Sequence, residues 1–463
     1  MTTPRVSADA LRADWLRSEI AVVGLARSGR SVATLLARTG NQVYASDARR
    51  TPDLDATEAE LQREGVDVEL GGHDLDRIGR AGLVVVSPGV PLDAPPIRAA
   101  RERGVDVVSE VEIALRYLPK LSYVAITGTN GKTTTTALVA HLLAGLRHRA
   151  VAAGNIGTPL SEVALAPTPP DWVALEVSSY QLHDTPSIKP AVGVLTNLSP
   201  NHLDRYRSVD EYYGDKKLLF RNADAGAQWI TNRDDAAVEA LAAGAAGLHC
   251  HFSLRTTAEA HFDRAHDRLV ILGVPLVPRS ELRLIGDHNV ANALAAALAV
   301  VMADSAHRSA EGLERIKRGL ASFRGLEHRI EVVGEVDGVQ WINDSKSTNV
   351  ASTAIALQGM TRPTVLLLGG KHKGEPYTTL AADVRRIVKK VVAYGEAAPI
   401  ITRDLGAVVD VEQGGSDFQR VVALARRAAA SGDSVLLSPA CSSFDMFTDY
   451  EHRGREFKRL VAS

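Results

Sequence analysis

The sequence has little of what marks several specialised classes of protein. Only two of its 463 residues are cysteines, Cys250 and Cys441, and they stand far apart. Two distant cysteines provide neither a disulfide framework nor a thiolate metal cluster, which fits a reducing compartment. The 53 Lys and Arg residues nearly balance the 55 Asp and Glu residues, for a formal net charge of -2. No overall field therefore attracts nucleic acid or an anionic membrane.

Long apolar runs are also missing. The longest weakly polar run, Val290 to Ala303, is interrupted by Asn292 and is too short to cross a bilayer. The N-terminal residues lack the apolar core of a secretory signal. These absences predict a cytoplasmic protein without membrane insertion. We also expect a monomer, because the sequence shows no heptad repeat and no long exposed apolar stripe.

Apolar runs that alternate with glycine turns and helical stretches predict an α/β fold. With 45% hydrophobic residues, the chain has enough apolar material for two to four packed domains. We predict three. Residues 1–118 would form a Rossmann-like N-terminal domain, and residues 119–322 a central P-loop ATPase-like domain with a mainly parallel sheet. Residues 323–463 would form a C-terminal Rossmann-like α/β domain.

The most informative local motif follows a predicted strand that ends at Ile126. The sequence there reads Gly128-Thr-Asn-Gly-Lys-Thr133, and a predicted helix comes next. Its glycines expose backbone N–H groups, Lys132 supplies a cation and Thr133 supplies a hydroxyl for a metal ion, which together predict triphosphate binding. The first glycine of the general P-loop pattern is replaced by Ile126, so a chance glycine turn is the alternative.

Other polar residues are candidates for metal binding, each with a simpler alternative. Glu176 ends a predicted strand and is placed to meet a magnesium ion at the triphosphate, although it could be a helix N-cap. His202 follows the next predicted strand, where α/β sites gather ligands, although it could be a solvated loop histidine. Lys216 and Lys217 form a pair that by pattern alone is typical of a solvated helix face.

Taken in order along the chain, the motifs resemble the Mur ligase family. The resemblance covers all three blocks and is carried by Gly24 to Gly29, Ser87 to Gly89, Gly128 to Thr134, Asn155 to Gly157, Glu176 to Ser179, Asn197 to Tyr206 and His288 to Asn292. In the third block, Asn343 to Asn349 and Ser438 to Tyr450 resemble the members that add D-glutamate. The resemblance implies an ATP-dependent ligase that joins D-glutamate to UDP-N-acetylmuramoyl-L-alanine for peptidoglycan synthesis.

The same resemblance implies roles for individual residues. Those expected to be catalytic are Lys132, Glu176, His202, Lys216 and Lys346. The ATP site would comprise Gly128, Thr129, Asn130, Gly131, Lys132, Thr133, Thr134, Asn292, Arg329 and Asp344. Two magnesium ions would be bound by Thr133, Glu176, His202 and a carbamylated Lys216, for which Lys217 is the rival. The uridine nucleotide would contact Arg27, Ser28, Asp47, Arg49, Ser87, Pro88, Gly89 and Asn155. D-Glutamate would contact Thr348, Lys373, Ser443 and Tyr450.

One loop departs from the family pattern, and other functions remain open. In Gly369 to Gly374 we expect an aspartate and find His372, which leaves the contacts of Lys373 undecided. A nicotinamide-dependent dehydrogenase would use the turn after Gly24, but Ala26 replaces the middle glycine of the dinucleotide fingerprint. A P-loop ATPase with a protein partner would hydrolyse ATP without D-glutamate. A related ligase would add L-alanine, a diamino acid or a glutamate chain on folate.

Overall fold

The computed structural model describes residues 14–200 and 206–463, which form an α/β protein with three sheets. The chain divides into two compact units. The first unit comprises Met1–Arg279 and Ala291–Leu320 and holds two sheets, whereas the second comprises Ser280–Val290 and Ala321–Ser463 and holds the third. The predicted α/β class with mainly parallel sheets is confirmed. The domain boundaries near residues 118 and 322 stay a prediction.

The first sheet has five strands, β1 Ile20–Val23, β2 Val43–Asp47, β3 Asp67–Leu70, β4 Leu83–Val86 and β5 Val107–Ser109. They pair in parallel in the order β3-β2-β1-β4-β5, as in one half of a doubly wound fold. The helices are α1 Arg27–Arg38, α2 Pro52–Arg63, α3 Leu75–Ile78, α4 Pro95–Glu102 and α5 Glu110–Tyr117. Apolar clusters cover both faces of this sheet, which explains why β1 and β4 are continuous apolar runs.

The second sheet has nine strands, β6 Ser122–Thr127, β7 Ala150–Gly154, β8 Trp172–Glu176, β9 Val192–Leu195, β10 Gln228–Asn232, β11 Leu248–Ser253, β12 Ala260–Asp263, β13 Arg268–Ile271 and β14 Val274–Pro278. Their order is β14-β13-β12-β11-β10-β9-β6-β8-β7, and β13 pairs antiparallel with β12 and β14. The helices are α6 Lys132–Gly145, α7 Leu160–Leu165, α8 Ser179–His183, α9 Val209–Lys217, α10 Ala236–Ala242, α11 Asp287–Ala303 and α12 Ala310–Ser322. Strands β8 and β9 flank β6 in parallel, so their carboxyl ends lie together.

The third sheet has six strands, β15 Glu331–Val336, β16 Val339–Asn343, β17 Thr364–Gly369, β18 Val388–Tyr394, β19 Asp410–Gly415 and β20 Ser434–Leu437. Their order is β15-β16-β20-β17-β18-β19, with β15 alone antiparallel to its neighbour. The helices are α13 Val350–Gln358, α14 Ala381–Ile387, α15 Ala398–Leu405, α16 Phe418–Ala428 and α17 Tyr450–Ala462. One apolar cluster packs on each face of this sheet.

The strands predicted to end at Ile126 and at Glu176 are present as β6 and β8, which end at Thr127 and Glu176. Short 3-10 helices occur at Trp15–Arg17, Leu218–Phe220, Arg279–Glu281, Ser305–Arg308 and Tyr377–Leu380. Across residues 14–200 and 206–463, no helix has both the length and the apolar character needed to span a bilayer.

Two histidines join the turn after α6 to the 3-10 helix Ser305–Arg308. Nε2 of His148 lies 2.9 Å from Nε2 of His307, and Nδ1 of His307 lies 2.7 Å from the carbonyl oxygen of Val300. Because a carbonyl oxygen only accepts, Nδ1 of His307 carries the proton and its Nε2 accepts from His148. Burial lowers the pKa of His307. The hydrogen bond to the Val300 carbonyl acts to raise it, and the nearby His148 lowers it further. The fold therefore stabilises neutral His307.

The substitution His307→Asn keeps a donor near the Val300 carbonyl and removes the titrating ring. The pKa of folded His307 lies below the unfolded value of about 6.5, so its stabilising contribution is complete above that pH and is lost as the pH falls through the folded pKa. We expect the difference in melting temperature between wild type and H307N to shrink as the pH falls below about 6.5. Thermal melts across this range test it, and parallel curves for the two proteins would contradict it.

Candidate active site

A tight glycine loop connects β6 to α6. Gly128 and Gly131 have φ angles of 143° and 81°. Residues other than glycine rarely adopt such angles. A Cβ atom at Gly128 would lie 2.0 Å from Oγ1 of Thr196, and one at Gly131 would lie 2.3 Å from Oδ1 of Asn292. Glycine is therefore required at both positions for the loop to approach these side chains.

Side chains after β9 fix the shape of this loop. Oγ1 of Thr196 and Nδ2 of Asn197 donate to the carbonyl oxygen of Asn130 at 2.7 and 2.9 Å. In return, the backbone N–H of Asn130 donates to Oδ1 of Asn197 at 2.9 Å. These hydrogen bonds fix the conformation of the loop.

Lys132 begins α6 and folds over the loop. Its Nζ donates to the carbonyl oxygens of Gly128 and Thr129 at 3.0 and 2.7 Å. Gly131 occupies the N-cap position and has no side chain with which to cap the first N–H groups of the helix. Thr133 is half-buried in that first turn, and Thr134 is buried. A helix N-terminus beside an ammonium group is suited to binding phosphate.

A buried carboxylate and a buried amine lie beside the loop. Glu176 ends β8 with 2% exposure, and its Oε1 accepts from Nδ2 of Asn155 at 3.0 Å. Its Oε2 is buried and has no hydrogen-bond partner within the described part of the chain. Lys216 on α9 is 1% exposed, and its Nζ donates to Oγ1 of Thr127 at 3.2 Å. Lys217, the next residue, is exposed.

The surroundings of Lys216 favour a neutral amine. Burial is the main cause that lowers its pKa well below the ordinary value, and the charge of Lys132 lowers it further. Glu176 and Asp215 act in the opposite direction but do not outweigh these effects. A neutral amine has the free electron pair that a nucleophile needs. The structure therefore separates Lys216 from Lys217, which the sequence pattern alone could not do.

The donors in this region fit a hard divalent cation that shares its coordination with a triphosphate. The unpartnered oxygen of Glu176 is a buried ligand of the kind that magnesium prefers, and Thr133 is placed in the first turn of α6. His202 lies outside the described residues. Within residues 14–200 and 206–463, no group of three or more His, Cys, Asp or Glu side chains could hold a metal ion by itself.

A cavity of about 730 Å³ opens at the carboxyl ends of β1, β2 and β4, a size typical of small-molecule sites. It is lined by all eight residues predicted to contact the uridine nucleotide, namely Arg27, Ser28, Asp47, Arg49, Ser87, Pro88, Gly89 and Asn155. Because Asn155 also donates to Glu176, it connects this cavity to the buried carboxylate. The structure brings these residues together, and their contacts with a ligand stay a prediction.

Asp47 and His73 are polar residues of the cavity wall. Oδ2 and Oδ1 of Asp47 accept the backbone N–H groups of Leu25 and Arg49 at 2.9 and 3.0 Å. Burial acts to raise the pKa of Asp47, but these donors outweigh burial and lower it. Nδ1 of His73 lies 2.9 Å from Oγ of Ser46. Sequence reasoning missed His73 because it follows β3, a short strand without an apolar run.

In the second unit, the predicted amino-acid site lies at the carboxyl ends of three neighbouring parallel strands, β16, β20 and β17. The segment after β16 carries Asp344, Lys346 and Thr348, the segment after β17 carries Lys373, and the segment after β20 carries Ser443 and leads to Tyr450. Nζ of Lys346 lies 5.7 Å from the ring centre of Tyr450, and Ser443 is buried. Strand order thus collects residues that are about 100 positions apart in the sequence.

Asp344 is a buried anchor of the segment after β16. Its Oδ2 accepts from Oγ of Ser438 at 2.7 Å, and its Oδ1 accepts from the backbone N–H of Ile330 at 3.2 Å. Burial raises the pKa of Asp344 to about 6, although hydrogen bonds from Ser347 and Ser438 and the charge of Arg329 act to lower it. The adenosine contacts expected for Arg329 and Asp344 stay a prediction.

The unexpected His372 has a structural partner. Its Nδ1 lies 3.0 Å from the hydroxyl of Tyr377, which in turn lies 2.8 Å from Sγ of Cys441. Tyr377 therefore links the segment after β17 to the segment after β20, and His372 contacts the hydroxyl that makes this link. Lys373 is exposed beside it.

Three family models match consecutive parts of the chain. They describe a Mur ligase MurD-like N-terminal domain at residues 18–109, a Mur ligase middle domain at 126–300 and a Mur ligase glutamate ligase domain at 328–441. The chain is 40% identical over 459 residues to the UDP-N-acetylmuramoylalanine--D-glutamate ligase of Salinibacter ruber, which covers 96% of this chain and 98% of that protein. It is 41% identical over 459 residues to the protein of the same name from Anaeromyxobacter dehalogenans, with 96% and 97% covered.

Solved structures share the fold at lower identity. The UDP-N-acetylmuramate-alanine ligase of Thermotoga maritima superposes with a TM-score of 0.61 at 20% identity, covering 96% of this chain and 99% of that one. MurF from Acinetobacter baumannii gives a TM-score of 0.60 at 17% identity, covering 96% and 93%. These likenesses concern the fold alone.

Gly131, at the start of α6, and Gly145, at its end, provide a matched test of the conformation of the phosphate loop. In G131A, the added Cβ would meet Oδ1 of Asn292 in a left-handed backbone conformation, which should lower the free energy of unfolding by roughly 1–3 kcal/mol. In G145A, at the end of α6, the added Cβ meets nothing within 4 Å, and the stability should be unchanged or slightly higher. Urea denaturation measures both, and equal effects would contradict the loop geometry.

Proposed function

Because the chain belongs to the Mur ligase family, we propose that it catalyses the ATP-dependent addition of D-glutamate to UDP-N-acetylmuramoyl-L-alanine, with release of ADP and phosphate. This reaction is a step in peptidoglycan precursor synthesis. Relatives at 36–41% identity over nearly the whole chain carry the name of the D-glutamate ligase. The structural observation that carries the proposal is the cluster of Lys132, Glu176 and Lys216 at the phosphate loop, connected through Asn155 to a nucleotide-sized cavity.

The cavity of the first sheet is proposed to bind the uridine nucleotide. Arg27 and Arg49 would offset the charge of its diphosphate, and the ionised Asp47 would accept hydrogen bonds from hydroxyl or imide groups. Asn155 would meet the muramoyl end. This orientation directs the alanyl carboxylate towards Glu176 and the phosphate loop.

The alanyl carboxylate must be activated before an amine can attack it, because its negative charge makes the carbon a poor electrophile. A carboxylate oxygen attacks the γ-phosphorus of ATP, the bond to the bridging oxygen breaks, and ADP leaves an acyl phosphate behind. Nζ of Lys132 would donate to phosphate oxygens in place of the carbonyl oxygens of Gly128 and Thr129. Its charge would then offset the charge on the transferred phosphoryl group. The N–H groups at the start of α6 would bind the same phosphates.

Two magnesium ions are proposed to bind beside the triphosphate, with Thr133, Glu176, His202 and Lys216 as protein ligands. When bound, they would supply charge neutralisation and orientation of the phosphoryl group. Lys216 could serve only as a carbamate. Its neutral amine would form a bond to the carbon of CO₂ and lose a proton, which gives an anionic oxygen donor. The buried position and lowered pKa of Lys216 support this assignment.

The second half-reaction forms the amide. The amine of D-glutamate attacks the acyl carbon, phosphate leaves, and the nitrogen loses a proton to a base that we do not assign. Lys373 would pair with a carboxylate of D-glutamate, and the hydroxyl groups of Thr348, Ser443 and Tyr450 would donate to its carboxylates. Lys346 is proposed to be a catalytic residue beside them. Water must be excluded while the acyl phosphate exists, because it hydrolyses readily.

The proposed reaction suits a monomer in the cytoplasm. ATP and nucleotide-linked sugars are available there. One chain contains every residue assigned to the three substrates, so the proposal needs no second copy.

The substrate assignment is tested by magnesium-dependent phosphate release from ATP with UDP-N-acetylmuramoyl-L-alanine present. D-Glutamate, L-glutamate, L-alanine and a diamino acid are supplied one at a time. We expect release with D-glutamate alone, together with the extended nucleotide product. Release with a different amino acid would indicate a related ligase, and release without any amino acid would favour an ATPase.

The lysine pair on α9 supplies a matched test of the metal-binding assignment. Lys216→Met should reduce kcat by on the order of 100-fold or more, because a buried anionic ligand can no longer form. Lys217→Met removes an exposed ammonium and should leave kcat within about twofold of wild type. Steady-state assays with saturating CO₂ measure both. Loss of activity in K217M with activity retained in K216M would reverse the assignment.

A further inference from the structure

A completely buried arginine, Arg453 on α17, lies among the segments that carry the proposed D-glutamate residues. We propose that Arg453 is the positioning residue of this amino-acid pocket and that its charge favours an acidic amino acid over a neutral one. The inference rests on the proposed function and adds to it a residue that is not itself expected to contact the substrate.

The guanidinium of Arg453 bonds to segments after two different strands. Its Nε donates to Oγ of Ser345 at 2.9 Å and its Nη2 to the carbonyl oxygen of Ser345 at 2.8 Å, both after β16. Its Nη1 and Nη2 each donate to the carbonyl oxygen of Cys441, after β20, at 3.3 Å. Oγ of Ser345 donates in turn to the carbonyl oxygen of Tyr450 at 2.8 Å. One side chain therefore joins two strand ends and the start of α17.

Each anchored position is close in sequence to a proposed D-glutamate residue. Ser345 stands three positions before Thr348, next to the proposed catalytic Lys346, and Cys441 stands two positions before Ser443. Backbone atoms so near to these residues cannot shift without moving them. Fixing the backbone before the ligand binds reduces the entropy that binding would otherwise lose.

The segment after β17 is tied to the same framework. The backbone N–H of Lys371 donates to the carbonyl oxygen of Ser442 at 2.9 Å, one residue beyond the carbonyl that Arg453 holds. Lys373 follows two residues later. A shift of the Cys441 carbonyl would therefore also move the segment after β17.

The hydrogen-bond acceptors of Arg453 are uncharged. In the part of the chain that the structure describes, its hydrogen bonds go to carbonyl and hydroxyl oxygens, and no carboxylate forms an ion pair with it. Asp445 lies in the same region, because its charge and that of Arg453 both act on Cys441 and Tyr394, but its carboxylate accepts the backbone N–H of Glu396 at 3.1 Å. A buried cation without a paired anion attracts an anionic ligand strongly, because little solvent screens it.

Arg453→Met and Arg453→Lys test both parts of the proposal in steady-state assays of the full-length enzyme. In R453M we expect KM for D-glutamate to rise by about tenfold or more, while KM for ATP and for the uridine nucleotide stays within about twofold. R453K keeps the charge but loses the planar fork, so the rise should be smaller. The preference for D-glutamate over D-glutamine, measured as the ratio of kcat/KM values, should fall in R453M and be largely retained in R453K.

Two further variants separate positioning from general stability. Arg426→Met removes another arginine of this unit, whose Nη2 donates to the carbonyl oxygens of Leu460 and Val461 at 2.9 and 3.2 Å, near the opposite end of α17. It should lower the melting temperature without raising KM for D-glutamate. Ser345→Ala removes one acceptor of the guanidinium and should raise KM for D-glutamate moderately. If R453M does not fold, KM for D-glutamate is measured in R453K and S345A instead.

An unchanged KM for D-glutamate in the Arg453 and Ser345 variants would overturn the inference. An equal rise in KM for all three substrates would also overturn it, because it would indicate a purely structural role. A wild-type enzyme that does not use D-glutamate would instead overturn the proposed function, which distinguishes the two failures.

Discussion

Parallel pairing of neighbouring strands is the constraint on which both candidate sites depend. It places the carboxyl ends of the strands at one edge of a sheet, so segments far apart in the chain become neighbours. In the second sheet, β8 and β9 flank β6, and Glu176 and Thr196 therefore lie on either side of the phosphate loop. In the third sheet, β20 lies between β16 and β17 and collects three segments in the same way.

Burial then sets the chemical state of the polar groups gathered at these edges. Removed from water, Lys216 is stabilised as a neutral amine, and one oxygen of Glu176 has no hydrogen-bond partner among the residues that the structure describes. Such groups destabilise a fold unless a ligand completes their interactions, and they are typical of functional sites. In the second unit, the hydrogen bonds of the buried Arg453 are instead accepted by the backbone carbonyls of Ser345 and Cys441 and by the Ser345 hydroxyl, so they define the geometry of these segments.

Much of the fold and of the first site could be predicted from the sequence. A strand buried on both faces is a continuous apolar run, so strands such as β4 and β17 are evident from composition. The phosphate loop is evident because its chemistry requires glycines, a lysine and a threonine at fixed spacing. Strands that are partly exposed, such as β3 and β15, have no apolar run and were not predicted.

The sequence by itself determined the fold class, the phosphate loop and the family resemblance, because local composition and spacing carry that information. Only the tertiary structure shows that Lys216 is buried and Lys217 is exposed, since adjacent residues on one helix share a pattern and differ only in what packs over them. It alone revealed His73 on the cavity wall and Arg453 among the loops. His73 belongs to no motif, and Arg453 lies in Glu451 to Phe457, a segment that resembles the family but gives no role for the arginine. The partners of both residues are distant in sequence, so only folding brings them together.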